Sequence, residues 1–196
     1  MMTGLVAQPW WVNFIALAPP LAWFSWRRGG VPVTVGQLLI SGAFAASFGF
    51  LEAVVVVYLR AAAGLLPGYQ GTLSDVVRMS GNFYVQSQAI GQFPKSLLTL
   101  EVLREVATII MLFTVALLTS AKSSARAAVF LWTFAIWDIV YYAALWTAVR
   151  WPHSLRDPDV LFLIPVPWFA PVWFPLLVSA LALAAVLLSR VTPSKS

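Results

Sequence analysis

The stretch LEVLREVATIIMLF, residues 100–113, combines a long apolar run with three charges near its start. Glu101, Arg104, Glu105 and Thr108 are three or four residues apart, so on a helix they form one polar stripe. The run that continues behind them is apolar enough to cross a bilayer. Charges on a membrane helix are costly unless they face other protein. The stretch therefore predicts a bundle of membrane helices with an ionic cluster inside it.

The composition of the whole chain is that of a membrane protein. Of its 196 residues, 61% are hydrophobic and 10% are charged, whereas about a quarter of the residues in a soluble domain are charged. Cysteine is absent, which excludes thiolate metal sites, disulfides and cysteine nucleophiles. The net charge of +5 comes from residues scattered over short connections, and we therefore predict no nucleic-acid partner.

The apolar residues fall into blocks of about twenty, which is the length that a helix needs to cross a hydrocarbon core about 30 Å thick. We predict an all-α integral membrane protein, a single transmembrane domain of residues 1–196 with a long outer loop, 61–96. Pro19 and Pro20 should kink or break the first crossing, since proline removes a backbone donor. The five predicted crossings are about 5–26, 33–59, 97–119, 127–149 and 168–189.

A proline-rich stretch, LFLIPVPWFAPVWFP at residues 161–175, precedes the last crossing. Four prolines in eleven positions make regular helix unlikely to form in its first half. Irregular backbone at membrane depth must be covered by protein or line a wet cavity. We expect residues 160–167 to lie at the outer interface or to enter the bundle as a short re-entrant piece.

Basic residues are distributed unequally between the two sides of the predicted bundle. One side has no acidic residue, and its basic residues are Arg27, Arg28, Lys122, Arg126, Arg190 and Lys195. The other side mixes both signs. Because short cytoplasmic loops are enriched in Lys and Arg, we predict an outside N-terminus and a cytoplasmic C-terminus, in a bacterial inner membrane.

Four of the seven acidic residues fall inside predicted crossings: Glu52, Glu101, Glu105 and Asp138. Glu52 and Glu105 lie about 12 Å from the outer ends of their helices, and Asp138 lies near the middle of its own. All four can therefore share the outer half of one bundle. Glu52 also borders a face of small residues that predicts close helix packing: Gly42, Ala45, Ala46, Gly49 and Ala53.

These positions suggest roles in a site. We hypothesise that Glu52, Glu105 and Asp138 are catalytic, acting as acid or base. Arg104, Arg60 or Arg150 would hold an anionic headgroup. The complete set of predicted ligand-binding residues is Glu101, Arg104, Arg60, Tyr141, Tyr142, Arg150 and His153. No motif identifies a cofactor, and no metalloenzyme spacing such as HExxH occurs, so we predict no metal site.

Three interpretations of the charges remain open. The first is a membrane-embedded enzyme or binding protein for a lipid-phase or anionic ligand. The second is a non-catalytic subunit or assembly factor, in which the charges fix helix register and loop 61–96 docks a membrane protein partner. The third, an ion or proton-coupled carrier, is weaker because the inner halves of the predicted crossings contain no charged side chain.

Overall fold

The structure, a computed structural model, describes residues 6–64 and 95–190, with side chains for 6–58 and 98–190. The chain forms helices joined by short connections, with one small sheet before the last helix. Its elements are a 3-10 helix Trp10–Leu17, then α1 Ala18–Trp26, α2 Val35–Gly64, α3 Lys95–Thr119, α4 Ser123–Val149, β1 Pro158–Phe162, β2 Trp168–Pro171 and α5 Trp173–Ser189.

Three helices are long and apolar enough to cross a membrane. They contain the spans Val35–Tyr58 in α2, Leu98–Thr119 in α3 and Ser123–Val149, which is all of α4. The last helix, α5, is apolar but has 17 residues. The structure thus confirms a mostly helical protein in which the second, third and fourth predicted crossings are continuous helices.

The first predicted crossing, 5–26, is not one helix. Its outer part is the 3-10 helix, which ends where the Ala18 N–H bonds to the Ile15 carbonyl. Pro19 lies in the first turn of α1, where the missing N–H would have had no partner. The first crossing therefore changes from a 3-10 helix to an α-helix at the prolines, where the sequence predicts an interruption.

A two-stranded sheet corrects the all-α prediction. Strands β1 and β2 are antiparallel, with Pro158 opposite Pro171 and Phe162 opposite Trp168. The last predicted crossing, 168–189, accordingly begins as a strand and becomes helical at residue 173. Prolines at strand ends are tolerated because no ladder hydrogen bond is needed there. The first half of the proline-rich stretch is irregular or extended, as expected.

This hairpin enters the bundle alongside α4. At its outer end Asp159 accepts a hydrogen bond from the Tyr142 hydroxyl, and nearer its tip the Phe162 ring lies 6.5 Å from that of Trp137. Tyr142 and Trp137 are five residues apart on α4, or about 7.5 Å along the helix axis. The tip therefore lies several turns before the end of α4, packed along the side of that helix.

The other ends of the helices meet in what we call the basic end. The Val31 N–H donates to the Ser189 carbonyl at 2.7 Å, and the Gln37 side-chain amide donates to the Thr119 carbonyl at 2.7 Å. These contacts gather the connection after α1, the turn after α3 and the end of α5. The opposite end, where α4 stops and β1 starts, is called the hairpin end.

Helix α4 is the centre of the bundle, since α2, α3 and α5 all pack against it. The α2–α4 contact is closest at Gly49, where an added Cβ would lie 2.4 Å from the Trp137 carbonyl oxygen. At Gly42 a Cβ would meet only the Ile136 and Trp132 side chains, at 3.1 Å. Small residues thus allow the two backbones to approach, as the sequence predicts.

The close approach at Gly49 generates a stability prediction. Gly49→Ala should lower the free energy of unfolding by about 1 to 3 kcal/mol, because a backbone atom cannot turn aside as a side chain can. Gly42→Ala should lower the free energy of unfolding by a smaller amount, because the added Cβ would meet side chains, which can move. Thermal unfolding in detergent measures both. The matched control is Gly36→Ala, where the nearest atom is 4.0 Å away and alanine favours the helix. Equal stability for the Gly49 and Gly36 variants would contradict this packing.

Candidate functional site

The charged residues of α2 and α3 form an ionic cluster, defined here as Glu52, Glu101 and Arg104. Nitrogen Nε and one terminal nitrogen of Arg104 donate to the two Glu101 oxygens, at 2.9 and 2.5 Å. The other terminal nitrogen pairs with Glu52 on α2. Among the described residues, α2 and α3 approach each other little, and this cluster and the Gln37–Thr119 hydrogen bond at the basic end connect them.

The guanidinium group of Arg104 is fully engaged. All three of its nitrogens face carboxylate oxygens, and the side chain of Glu52 is only 6% exposed. Arg104 could take an anionic headgroup only by giving up a glutamate, which would leave a carboxylate unpaired in a low-dielectric interior. Arg104 is therefore placed to connect α2 and α3 through its ion pairs.

Glu105 holds the tip of the hairpin. Its side chain is buried, and its Oε2 accepts a hydrogen bond from the Leu163 backbone N–H at 2.8 Å. Leu163 follows directly after β1, where its N–H would otherwise be left unsatisfied inside the bundle. A carboxylate that accepts from a backbone N–H forms a strong, charge-assisted bond. Glu105 therefore connects α3 to the hairpin.

A second polar group joins α4 to α5 and β1. The Ser179 hydroxyl on α5 donates to Asp138 at 2.8 Å, and the Tyr142 hydroxyl donates to Asp159 at 2.9 Å. All four residues are buried. Tyr142 also lies close enough to Asp138 to interact with it electrostatically. These bonds attach α5 and β1 to the same two turns of α4.

An open groove of about 380 Å³ lies directly outside this second group, at the hairpin end. Its wall is apolar and comes from α4, α5 and the connection between α4 and β1, through Ile139, Ala143, Trp146, Leu155 and Leu176. His153 and Ser154 line its mouth, and the buried Tyr142 forms part of its floor. The groove is therefore amphipathic, with a polar group beneath an apolar wall.

The predicted site residues are thus divided among three places. Glu52, Glu101 and Arg104 form the ionic cluster, with Glu105 beside it. Tyr141 stacks on Trp137, with ring centroids 6.1 Å apart, and lies near Arg104. Asp138 and Tyr142 belong to the second group. His153 lines the groove, and Arg150 stacks on Trp146, which also lines it.

Two predictions fall outside the described part of the chain. The side chain of Arg60 is not described, although its backbone belongs to α2. In the predicted outer loop, α2 continues to Gly64 and α3 begins at Lys95. Residues 65–94, the expected docking segment, lie outside the described residues.

Sequence reasoning missed the partners of these acids. Ser179 is completely buried and is one of only two polar residues in α5, so a lone serine in an apolar helix was the available signal. No sequence pattern marks the Leu163 N–H as the partner of Glu105. Asp159 follows two polar residues and a proline, which give no sign of burial, whereas the structure buries it against Tyr142.

The described residues contain no group of three or more His, Asp or Glu side chains placed to hold a metal ion. Comparison of the chain with protein-family models, curated proteins and solved structures gives no match. Any functional conclusion therefore depends on the ionic cluster, the second polar group and the groove.

Substitutions in the ionic cluster can distinguish the effect of ion pairing on stability from the effect of each charge alone. Arg104→Met should lower the free energy of unfolding by about 3 to 5 kcal/mol, because it leaves Glu52 and Glu101 without their counter-ion. Adding Glu52→Gln and Glu101→Gln to Arg104→Met should restore much of the loss. Thermal unfolding in detergent or titration with a denaturing detergent measures this.

The control for the cluster is Arg126→Met. Arg126 is also half-buried, but its Nε donates to a backbone carbonyl, that of Ser120, at 2.6 Å. Arg126→Met leaves no carboxylate unpaired, so it should lower the free energy of unfolding much less than Arg104→Met does. If Arg104→Met and Arg126→Met lowered the free energy of unfolding by equally small amounts, the cluster would not be what holds α2 and α3 together.

Proposed function

We propose that this protein is an integral membrane protein that binds a lipid-phase amphiphile in the groove at the hairpin end. The observation that supports the proposal is the mixed lining of the groove, in which mostly apolar side chains are joined by Tyr142, His153 and Ser154. Concave, mostly apolar sites with a few placed polar groups are typical of ligand binding. The groove is also open, so a ligand can enter it from the lipid phase.

The finer topology is part of this proposal. The 3-10 helix and α1 together extend about 30 Å, at about 2.0 and 1.5 Å per residue, which matches a hydrocarbon core. With α5 and β2 they would complete five crossings. The basic end would be cytoplasmic, as in a bacterial inner membrane, because its described charged residues are all basic: Arg27, Arg28, Lys122, Arg126 and Arg190.

The topology can be tested directly because the chain has no cysteine. Single substitutions to cysteine are made at Arg156, exposed at the hairpin end, and at Arg28, exposed at the basic end. In spheroplasts, a membrane-impermeant maleimide should label Arg156→Cys, and it should label Arg28→Cys only after the membrane is opened. Ser47→Cys, exposed in the middle of α2, should stay unlabelled in the lipid. The reverse pattern at the two ends would contradict the orientation.

Binding is the broader proposal and catalysis the narrower one. Glu52 and Glu105, predicted as acid or base, already hold Arg104 and Leu163. Of the polar residues described above, Tyr142 lines the groove, and its hydroxyl donates to the buried Asp159 behind it. If the ligand is transformed in the groove, these are the groups that would act on it.

One observation favours a second function, that of a non-catalytic subunit or assembly factor. Arg104 is fully paired, and each carboxylate described above accepts a hydrogen bond or faces a guanidinium group. A network satisfied in this way fixes the positions of helices. In this alternative the groove would face a partner helix, and the protein would be purified with another membrane protein.

Filling the groove tests the main proposal. Ala143→Trp places an indole on the groove wall and should remove the amphiphile bound by the wild-type protein. Native mass spectrometry of protein gently extracted from its own membrane measures bound lipids and bound polypeptides in one spectrum. Ala43→Trp is the control, since Ala43 is exposed on α2 away from the groove.

Each outcome distinguishes the two functions. One amphiphile per chain that is lost in Ala143→Trp but kept in Ala43→Trp supports binding in the groove. A bound polypeptide that is lost in Ala143→Trp, with no stoichiometric amphiphile, contradicts it in favour of the subunit. A wild-type chain that carries neither also contradicts the proposal.

A further inference from the structure

Arg150 occupies a backbone conformation that is unusual for arginine. It is the residue after α4, with φ 57° and ψ 29°, and its N–H bonds to the Trp146 carbonyl. This left-handed position favours glycine, because a side chain there crowds the backbone. Arg150 is the only non-glycine residue with positive φ in the described part of the chain. An arginine at this position is a reason to look for a role of its side chain.

The side chain of Arg150 lies against Trp146, one of the residues that line the groove. Its guanidinium carbon lies 4.6 Å from the centroid of the Trp146 ring. Stacking on an indole restrains the plane of the guanidinium group while leaving its N–H donors free at the edge. Trp146 therefore supports both the apolar wall and the orientation of the cation.

The two arginines near the groove, Arg150 and Arg156, have no ion-pair partner in the part of the chain that the structure describes. The acid of this turn, Asp157, is already engaged, since its Oδ2 accepts from the backbone N–H groups of His153 and Ser154, at 2.7 and 3.1 Å. The same oxygen lies 3.7 Å from the His153 ring. A ligand with a negative headgroup would supply the missing counter-charge.

We infer that the amphiphile in the groove is an anionic phospholipid of the outer leaflet, with its phosphate on the Arg150 guanidinium and an acyl chain along the apolar wall. The inference rests on the proposed binding function and adds the headgroup class. The planar fork of arginine matches two phosphate oxygens at once. The position also fits, because Arg150 is at the end of a membrane-length helix, where lipid headgroups lie.

The inference assigns the anionic headgroup to a different arginine from the one that the sequence suggests first. Arg104 is deeper in the bundle and is neutralised by two glutamates. Arg150 is exposed and pairs with an aromatic ring. Of these two, Arg150 can bind an anion without breaking an existing ion pair.

The test uses the full chain, delipidated in detergent and titrated with phosphatidylglycerol or phosphatidylcholine of identical acyl chains. Native mass spectrometry counts the bound lipid. The wild-type protein should bind one phosphatidylglycerol at least tenfold more tightly than phosphatidylcholine. Arg150→Gly should abolish this preference, and its folding should not suffer because glycine suits the left-handed backbone. Arg150→Lys, which keeps the charge but loses the fork, should retain part of the preference.

The matched control is Arg27→Ala. Arg27 also stacks on an aromatic ring, with its guanidinium carbon 4.0 Å from the Phe24 centroid, but it lies at the basic end. Its loss should leave the lipid preference unchanged. If Arg27→Ala weakened the preference as much as Arg150→Gly, the selectivity would come from general charge and the inference would be overturned.

The remaining outcomes separate this inference from the proposed function. Equal binding of the two lipids, still abolished by Ala143→Trp, would overturn the headgroup assignment and keep the groove. Binding of neither lipid to the wild-type chain would count against both. Glycerol phosphate, which has no acyl chain, should not compete at similar concentration, and full competition would show a site for a soluble phosphate instead.

Discussion

The pairing of Arg104 with Glu52 and Glu101 is the interaction on which the arrangement of the helices depends. Helices in a bilayer gain little from hiding apolar surface from lipid, so packing and polar contacts must hold them together. Helix α3 most needs the polar contacts, since only 22% of its span is buried, compared with 44% for α2 and 50% for α4. A carboxylate pair around one guanidinium gives this peripheral helix a defined position against α2.

The same principle places the hairpin and the last helix. The Leu163 N–H, the Tyr142 hydroxyl and the Ser179 hydroxyl each donate to a buried carboxylate. A buried carboxylate without a donor would be strongly destabilising, so each contact excludes alternative positions of the segment that donates it. The hairpin is therefore held on both sides, by α3 at its tip and by α4 at its outer end. The groove exists because these contacts hold α4, α5 and the intervening connection in place.

Arg104 and Arg150 thus have two different environments. In the interior, charge is paired and determines structure. Beside the groove, Arg150 has an aromatic neighbour and no carboxylate among the described residues. An exposed cation is solvated by water, so leaving it without an ion-pair partner costs little free energy. It can then bind an anion without losing an existing partner. The proposed lipid binding follows from this contrast, and a catalytic role would need the polar floor of the groove in addition.

The sequence by itself determined the three long helices, apolar enough to cross a membrane, and the helices on which the described charges lie. It could do so because length, hydropathy and the 3.6-residue period are local properties of a chain. It also indicated the close α2 face, since small residues at helical spacing admit a neighbour. Only the tertiary structure decided that residues 10–17 form a 3-10 helix, that two strands enter beside α4, and that Ser179 meets Asp138. These features depend on groups distant in sequence that must satisfy one another's hydrogen bonds inside the bundle, and no local pattern specifies which donor reaches which acceptor.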